Sequence, residues 1–416
     1  VGTGLAWTPG LFTFICLLVS IIYGAWQLSP IFWAEAGNDS RVFFAAARVS
    51  SAGGNPYDFG QLSAMEARLN AEARAEGTGR DSLSPNEYHY PPLLTRGWQL
   101  LAPLGDIGFL VANSLLALVA GLIGFELVLM ALDWRGRWLV RGFFLFSLPM
   151  LTVLSSGNPA TVLLLPWAGA LLVSRRGRPV LAGALLACCW IKPPVGIPVA
   201  LALVLVQRHQ WRALLAGFGI GTMVFAAVNL AAGGVDGTVA WIQSLVDFSA
   251  TINAGQTAII QQRFLAGLSA FFFFLGPVVA GAIALALAGG IVVAVWRRRP
   301  AIEASAAAPL GLAVLTAAAL AIAPYIHTYD LVFEAVPVLT LAALSQTRLT
   351  RTVLVAWGLA PVINLTLALV IAAVTGGLDT PWSYGAVLNA LTLLAVAVAV
   401  SRYPLAGSGT PASYRR

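Results

Sequence analysis

The sequence predicts an all-α membrane protein of about twelve transmembrane helices with one large polar loop near its start. Three observations predict it. Of the 416 residues, 59% are hydrophobic and only 10% charged, and the mean hydropathy is +0.83. Apolar stretches such as 11–31 and 353–374 are long enough to cross a hydrocarbon layer of roughly 30 Å at about 1.5 Å per residue. No run of residues alternates apolar and polar in the manner of a barrel strand, so the chain is expected to satisfy its backbone within helices.

The arginines order the spans. Most of the 24 basic residues fall in short clusters: Arg135, Arg137 and Arg141; Arg175, Arg176 and Arg178; Arg208 and Arg212; Arg297 to Arg299; Arg348 and Arg351; and Arg402, Arg415 and Arg416. By the positive-inside rule these are cytoplasmic turns. Spans near 11–33, 106–131, 140–154, 160–174, 179–191, 195–207, 213–232, 265–295, 306–324, 328–346, 352–375 and 383–401 bring every cluster to that side, with both termini. The first span lacks a basic start and a small-residue cleavage site, so it is expected to be retained. Residues 93–101 are expected to form a re-entrant or interfacial helix, since a crossing there would put the Arg135 cluster outside. The four spans between Arg141 and Arg208 have only about 13 to 15 residues, short for a full crossing. They are expected to be broken or buried half-helices, which survive only where they line a cavity or pack against protein.

The first extracytoplasmic loop, 34–96, is out of proportion to the rest. Helices outside the bilayer are expected at 41–52 and 61–76, separated by the breaker Gly53-Gly54-Asn55-Pro56-Tyr57. In the second helix Leu62, Met65, Leu69 and Ala73 form a narrow apolar stripe, while Glu66, Arg68, Glu72, Arg74 and Glu76 face water. A second extracytoplasmic loop, 233–264, carries Asp236, Trp241, Asp247, Gln261, Gln262 and Arg263 and is placed to cover a cavity. No repeat of fixed period occurs. The chain reads as one integral-membrane domain, 1–403, with a disordered cytoplasmic tail, 404–416.

Several chemistries are excluded. The net charge of +7 lies in turns, which argues against nucleic acid. Cys16, Cys188 and Cys189 sit in apolar runs and read as small core residues. Neither a phosphate-binding loop nor a His-Glu-x-x-His pair occurs, and Gly217-Phe218-Gly219 within an apolar span reads as helix packing. Neither a metal nor a cofactor is expected. Asn38-Asp39-Ser40 fits a glycosylation sequon, a short and weak signal.

What remains is a set of polar residues at the external ends of spans: Asp39; Tyr88, His89 and Tyr90; Asn158; Lys192; His327 and Asp330. Each has a plainer reading. Asp39 would cap the helix beginning near Ser40, Lys192 would snorkel, His327 would be an interfacial histidine, the Tyr88 run an aromatic belt, and Asn158 the cap of a broken helix. Against snorkelling, Lys192 is the only lysine in the sequence and is followed by Pro193 and Pro194.

The segments Asn38-Asp39-Ser40-Arg41-Val42-Phe43, Gly54-Asn55-Pro56-Tyr57, Tyr90-Pro91-Pro92-Leu93, Gly157-Asn158-Pro159 and Ile191-Lys192-Pro193, in that order and over roughly residues 10–340, resemble glycosyltransferase family 87. That family comprises GT-C-fold, polyprenyl-phosphate-dependent enzymes, among them mycobacterial mannosyltransferases of phosphatidylinositol mannoside synthesis and related arabinofuranosyltransferases. The resemblance implies a GT-C-type bundle in the plasma membrane with its active site facing outward. It also implies that Asp39, which matches the family's loop aspartate, is the catalytic base. Asn158 stands where the family often has Gln. Asp58 reads as structural.

The chemistry of such a reaction suits these residues. Moving a sugar from a lipid phosphate to a hydroxyl needs a base for the acceptor proton and cations for the leaving phosphate. Asp39 supplies the first, and Lys192, His327 and Arg263 the second, with Tyr88, His89, Tyr90, Asn158 and Tyr329 contacting substrate. A phosphate leaves without protonation, so the carboxylate pair of glycoside hydrolysis is unnecessary, and direct attack inverts the anomeric centre. The expected partners are a polyprenyl-phosphate sugar (mannose favoured, arabinofuranose possible), a glycolipid or polysaccharide acceptor, and membrane lipids. Two other readings stand beside it, a lipid-linked sugar transporter or flippase and a non-catalytic membrane subunit.

Overall fold

The computed structural model describes residues 18, 21–22, 37–80, 87–134, 138–253, 265–303, 308–323, 325–344, 348–375 and 384–401. The expected first span 11–33, apart from Leu18, Ile21 and Ile22, lies outside the described residues, as do Arg263 and the tail 404–416. Among the described residues every regular element is helical: α1 (Asn38–Ser51), α2 (Phe59–Glu76), α3 (Pro92–Gln99), α4 (Gly105–Ala131), α5 (Trp138–Leu145), α6 (Leu148–Ser156), α7 (Ala160–Arg175), α8 (Pro179–Leu186), α9 (Pro193–Val206), α10 (Trp211–Asn253), α11 (Pro277–Glu303), α12 (Ala308–Ile322), α13 (Ala335–Leu344), α14 (Arg348–Thr375) and α15 (Tyr384–Ser401), with 3-10 segments between some of them. Among the described residues, five stretches are long and apolar enough to cross a membrane: 102–131, 211–248, 277–294, 348–367 and 384–401. Of the other expected spans, 160–174, 179–191, 195–207 and 306–324 are shorter apolar helices, and three of the twelve are broken for local reasons. The expected span 140–154 is two helices, because Ser147 caps α6 by accepting from Met150 N–H and Pro149 follows in its first turn. The span 265–295 starts as a 3-10 segment, Leu268–Leu275, and the left-handed Gly276 (φ 84°) separates it from α11. The span 328–346 likewise starts as a 3-10 segment, Thr328–Glu334.

The chain divides into two compact units, one of Val1–Gly196 with Arg212–Gly255, the other of Ile197–Trp211 with Gln256–Arg416. In the first, α4 packs along α7 through missing side chains. A Cβ on Gly121 would lie 3.0 Å from Thr161 Cγ2, and one on Gly124 3.2 Å from Leu164 Cγ. Such close backbone approach is what small residues provide between membrane helices, where lipid is as apolar as leucine. The opposite flank of α4 exposes Val111, Leu115, Leu116, Val119 and Ile123, a face suited to lipid. Helix α7 is buried along most of its length, from Ala160 to Ser174, as expected of a short helix packed on protein. Gly183 of α8 and Gly217 and Gly221 of α10 meet the backbone of the facing helix at Leu214, Val180 and Ala184, so Gly217 packs helices as expected, whereas a Cβ on Gly219 would meet nothing within 4 Å.

The first loop folds on its own small core. Asp58 caps α2, its Oδ1 accepting from Gln61 N–H at 3.0 Å, and Gly77 ends it in the left-handed conformation. Phe43 of α1 stacks on Trp98 of α3 at 4.3 Å, with Tyr88 and Tyr90 edge-on around it, each contact adding about 0.5–1.5 kcal/mol beyond burial. Arg80, fully buried, donates from Nε to Asp106 Oδ2 at 3.0 Å, and Arg41 bonds the Arg80 carbonyl and lies 3.8 Å from the same carboxylate. This ties the loop's return to the start of α4. The segment 233–264, read from sequence as a loop, is helical as far as Asn253. Gly234 (φ 67°, ψ −174°) is non-helical, so α10 is two helices that meet at a kink there.

In the second unit α12 is almost wholly buried. Ala266 N–H donates to the Ile326 carbonyl at 2.7 Å and Asn389 Nδ2 donates to the Ala266 carbonyl at 3.0 Å, which fixes the segment leading into His327.

Candidate active site

The site is built where the start of α1 meets the turn between α6 and α7. Gly37, left-handed at φ 71°, precedes α1 and donates its N–H to the Ser155 carbonyl at 2.6 Å. Gly157, also left-handed (φ 69°), ends α6 so close to α1 that a Cβ there would stand 2.5 Å from Ser40 Cβ. Its carbonyl accepts from Asn113 Nδ2 at 2.5 Å, and Trp98 Nε1 donates to Asn113 Oδ1 at 3.2 Å. The turn is thus held from three sides, which fixes the next residue, Asn158.

Asn158 is buried, 2% exposed. Its amide nitrogen donates to Asp39 Oδ2 at 2.9 Å and to the Tyr90 hydroxyl at 3.3 Å. Its Oδ1 is buried without a hydrogen-bond partner among the described residues. Asp39 lies in the first turn of α1 rather than at its cap, which is Gly37 and makes no side-chain bond. The capping reading of Asp39 therefore fails, although the helix N-terminus still favours a carboxylate there. Asp39 and Tyr90, which lie 119 and 68 positions before Asn158, are thereby joined through its one side-chain amide.

The other candidates are distributed as follows. Tyr88 is 2% exposed inside the aromatic core, its hydroxyl 2.7 Å from Thr95 Oγ1, and burial holds that phenol well above its usual range. His89 packs on the Phe248 ring at 4.2 Å, and its carbonyl accepts from Trp241 Nε1 at 3.0 Å. Lys192 closes the 3-10 segment Ala187–Ile191, and its carbonyl accepts from the first turns of α9 at Gly196 N–H, 2.8 Å away. In the second unit His327 stands between Tyr325 and Tyr329, with ring centroids at 4.8 and 5.1 Å, and its N–H donates to Asp330 Oδ2 at 3.0 Å. Asp330 thus serves as a local cap. No cluster of metal-ligating side chains occurs among the described residues.

Sequence reasoning missed Asn113, Tyr57 and the Arg41–Arg80–Asp106 cluster. An amide in the middle of an otherwise apolar span was the available signal for Asn113, since such a group must find a partner. For Arg41 it was a guanidinium on the face of α1 that also carries Phe44 and Ala45.

Burial lowers the His89 imidazole to about 4. Glu87 Oε2 lies 3.1 Å from His89 Nε2 and draws the other way, but lost hydration and nearby Asp247 raise its own carboxyl, weakening that attraction. The fold therefore holds neutral imidazole. Because the unfolded chain binds the proton first, stability should be unaffected above about pH 6.5 and fall between there and about pH 4, by no more than about 3 kcal/mol. Unfolding midpoints across that window, compared with His89→Phe, check it. The substitution should flatten the slope.

A model of glycosyltransferase family 87 matches residues 88–315, more than half of the chain. The chain belongs to glycosyltransferase family 87. Tyr90, Asn158 and Lys192 fall inside the matched stretch, whereas Asp39 precedes it and His327 and Tyr329 follow it. No curated protein and no solved structure matches the chain. Membership in family 87 gives the transferase class, with a sugar donor and an acceptor. Which side chains act is a matter for the geometry above.

Proposed function

We propose that this family 87 protein transfers a sugar from a polyprenyl phosphate to a hydroxyl of a glycolipid or polysaccharide, with inversion, at the extracytoplasmic face of the plasma membrane. The observation that carries the reading is the Asp39 carboxylate held by the Asn158 amide beside the Tyr90 hydroxyl. A neutral amide fixes a carboxylate without adding positive charge, so the carboxylate stays available to take a proton. In the step proposed, the acceptor oxygen gives its proton to Asp39 and bonds to the anomeric carbon. The bond from that carbon to the phosphate oxygen breaks, and its electron pair leaves with the polyprenyl phosphate. Positive charge near the departing phosphate lowers the barrier. Lys192 is proposed for this, being the only lysine and fixed between a 3-10 turn and two prolines. His327 and Arg263 are proposed as further cations, on the leaving phosphate's need for positive charge. The prenyl chain would lie against the short apolar helices, at about 0.8 kcal/mol per buried CH₂. Mannose is the favoured sugar and arabinofuranose the second.

Transfer from synthetic polyprenyl-phosphate mannose and polyprenyl-phosphate arabinofuranose by protein in vesicles tests this. One donor should yield product of the opposite anomeric configuration, and transfer from a nucleotide sugar instead would refute it. Lys192→Ala should weaken donor binding by about 10- to 150-fold, the loss of one charge-assisted hydrogen bond, and acceptor binding little. Unchanged donor affinity returns Lys192 to an interfacial role. For the orientation, single cysteines in place of Glu76 and Arg176 should behave oppositely in intact cells. The first should react with an impermeant thiol reagent and the second should not.

A further inference from the structure

At the end of α1 remote from Asp39 lies a cleft of about 370 Å³, within the first unit. That volume is at the low end of the roughly 300–1,000 Å³ of ligand pockets. Its walls are the Gly53–Tyr57 turn, the first turns of α3 and the kink of α10. The kink is seated on α3 because Gly233 has no side chain, where a Cβ would meet Pro92 Cβ at 2.5 Å, and because Arg96 Nε donates to the Ala232 carbonyl at 2.7 Å. The cleft is therefore built by close packing.

Its lining is polar and balanced. Asp236 and Arg96 carry opposite charges, Asn55 and Ser50 add an amide and a hydroxyl, and Pro56, Tyr57 and Pro92 supply flat apolar surface. A phosphate would meet the like charge of Asp236, and a lipid tail would strand these polar groups against hydrocarbon. A neutral polyol with an apolar ring face satisfies both parts of the lining. The cleft is also joined to the carboxylate. The Tyr57 hydroxyl in its wall donates to the Tyr90 carbonyl at 2.8 Å, and the Tyr90 hydroxyl accepts from the Asn158 amide that holds Asp39.

We infer that this cleft is a saccharide subsite, holding a sugar ring of the acceptor other than the one that receives the transferred sugar. The inference rests on the reading of Asp39 as the base. Ser50 lies roughly 16 Å from Asp39 along α1 at about 1.5 Å per residue, so the acceptor it fits is an oligosaccharide chain rather than a single ring. Binding a remote ring positions the reacting hydroxyl, which is how distant binding energy serves the chemical step.

Saturation-transfer NMR on the full chain in detergent tests it, with the methyl glycosides of a mannotriose and an arabinofuranotriose as probes. At least one should bind wild type. Gly237→Leu should abolish binding by filling the cleft, and the backbone tolerates it, since the nearest atom to a new Cβ is Pro92 Cγ at 4.0 Å. Asp236→Ala should weaken it about 10-fold or more, as loss of a charged hydrogen-bond partner does. Asp39→Asn should bind as wild type does. Absence of binding by either probe to wild type overturns the subsite. So does an unchanged affinity in Gly237→Leu, and so does loss in Asp39→Asn alone, which would put the sugar at the carboxylate. The transferase reading is decided separately, by turnover.

Discussion

Asp39→Asn is expected to reduce sugar transfer by roughly 10²- to 10⁴-fold, the range a positioned general base contributes, while folding and donor affinity stay near wild type. The substitution keeps the shape of the side chain, and an amide oxygen can still accept from Asn158 Nδ2, now 2.9 Å from the carboxylate. Only the capacity to take a proton is lost. Asp58→Asn is the comparison. Asp58 is an exposed N-cap bonded to Gln61 N–H, and asparagine caps as well as aspartate, so that variant should transfer sugar normally. Rates measured for both variants with the same donor decide the matter. An active Asp39→Asn enzyme, or an inactive Asp58→Asn enzyme, would remove Asp39 from the role.

Gly157→Ala is expected to cost about 1–3 kcal/mol by overpacking and at least about 10²-fold in transfer, the penalty for moving a reacting group by about 1 Å. The new Cβ would fall 2.5 Å from Ser40 Cβ. That atom belongs to a helix and cannot swing aside, so either the start of α1 or the 155–159 turn must move, and Asp39 parts from Asn158. Gly177→Ala separates crowding from backbone strain. Gly177 has φ 73°, close to the 69° of Gly157, but nothing lies within 4 Å of its would-be Cβ. It should lose about 1 kcal/mol and no activity. Thermal unfolding and transfer rates on the two variants make the comparison, and equal behaviour would mean that the tight approach to Ser40 does not matter.

Much of this was legible in the sequence because single residues carried it. Asp58, Gly77 and the Gly53–Tyr57 turn set the loop helices, and α1, α2 and α4 begin within a few residues of where apolar periodicity puts them. The Asp39–Asn158 pair was foreseeable as two polar residues at the same end of their spans, although their contact was not, since it depends on Gly157 and Asn113 acting through space. The broken spans were harder to read. Hydropathy averages over Ser147 and Gly276, whose effect is a local hydrogen bond or a backbone angle and leaves composition unchanged. Gly233 and Gly234 do end the apolar helix, as two adjacent glycines suggest: the non-helical Gly234 breaks α10 and Gly233 makes room for Pro92, but nothing in their composition told that a second helix would follow at once.

Native mass spectrometry of purified wild-type protein and Asp39→Asn tests the central claim most directly, because it reads the donor and the base together. The account predicts that the variant retains sugar-charged polyprenyl phosphate while wild type carries mainly the uncharged lipid phosphate left after transfer. Wild type and variant carrying the same charged fraction, or neither carrying a polyprenyl phosphate, would contradict it.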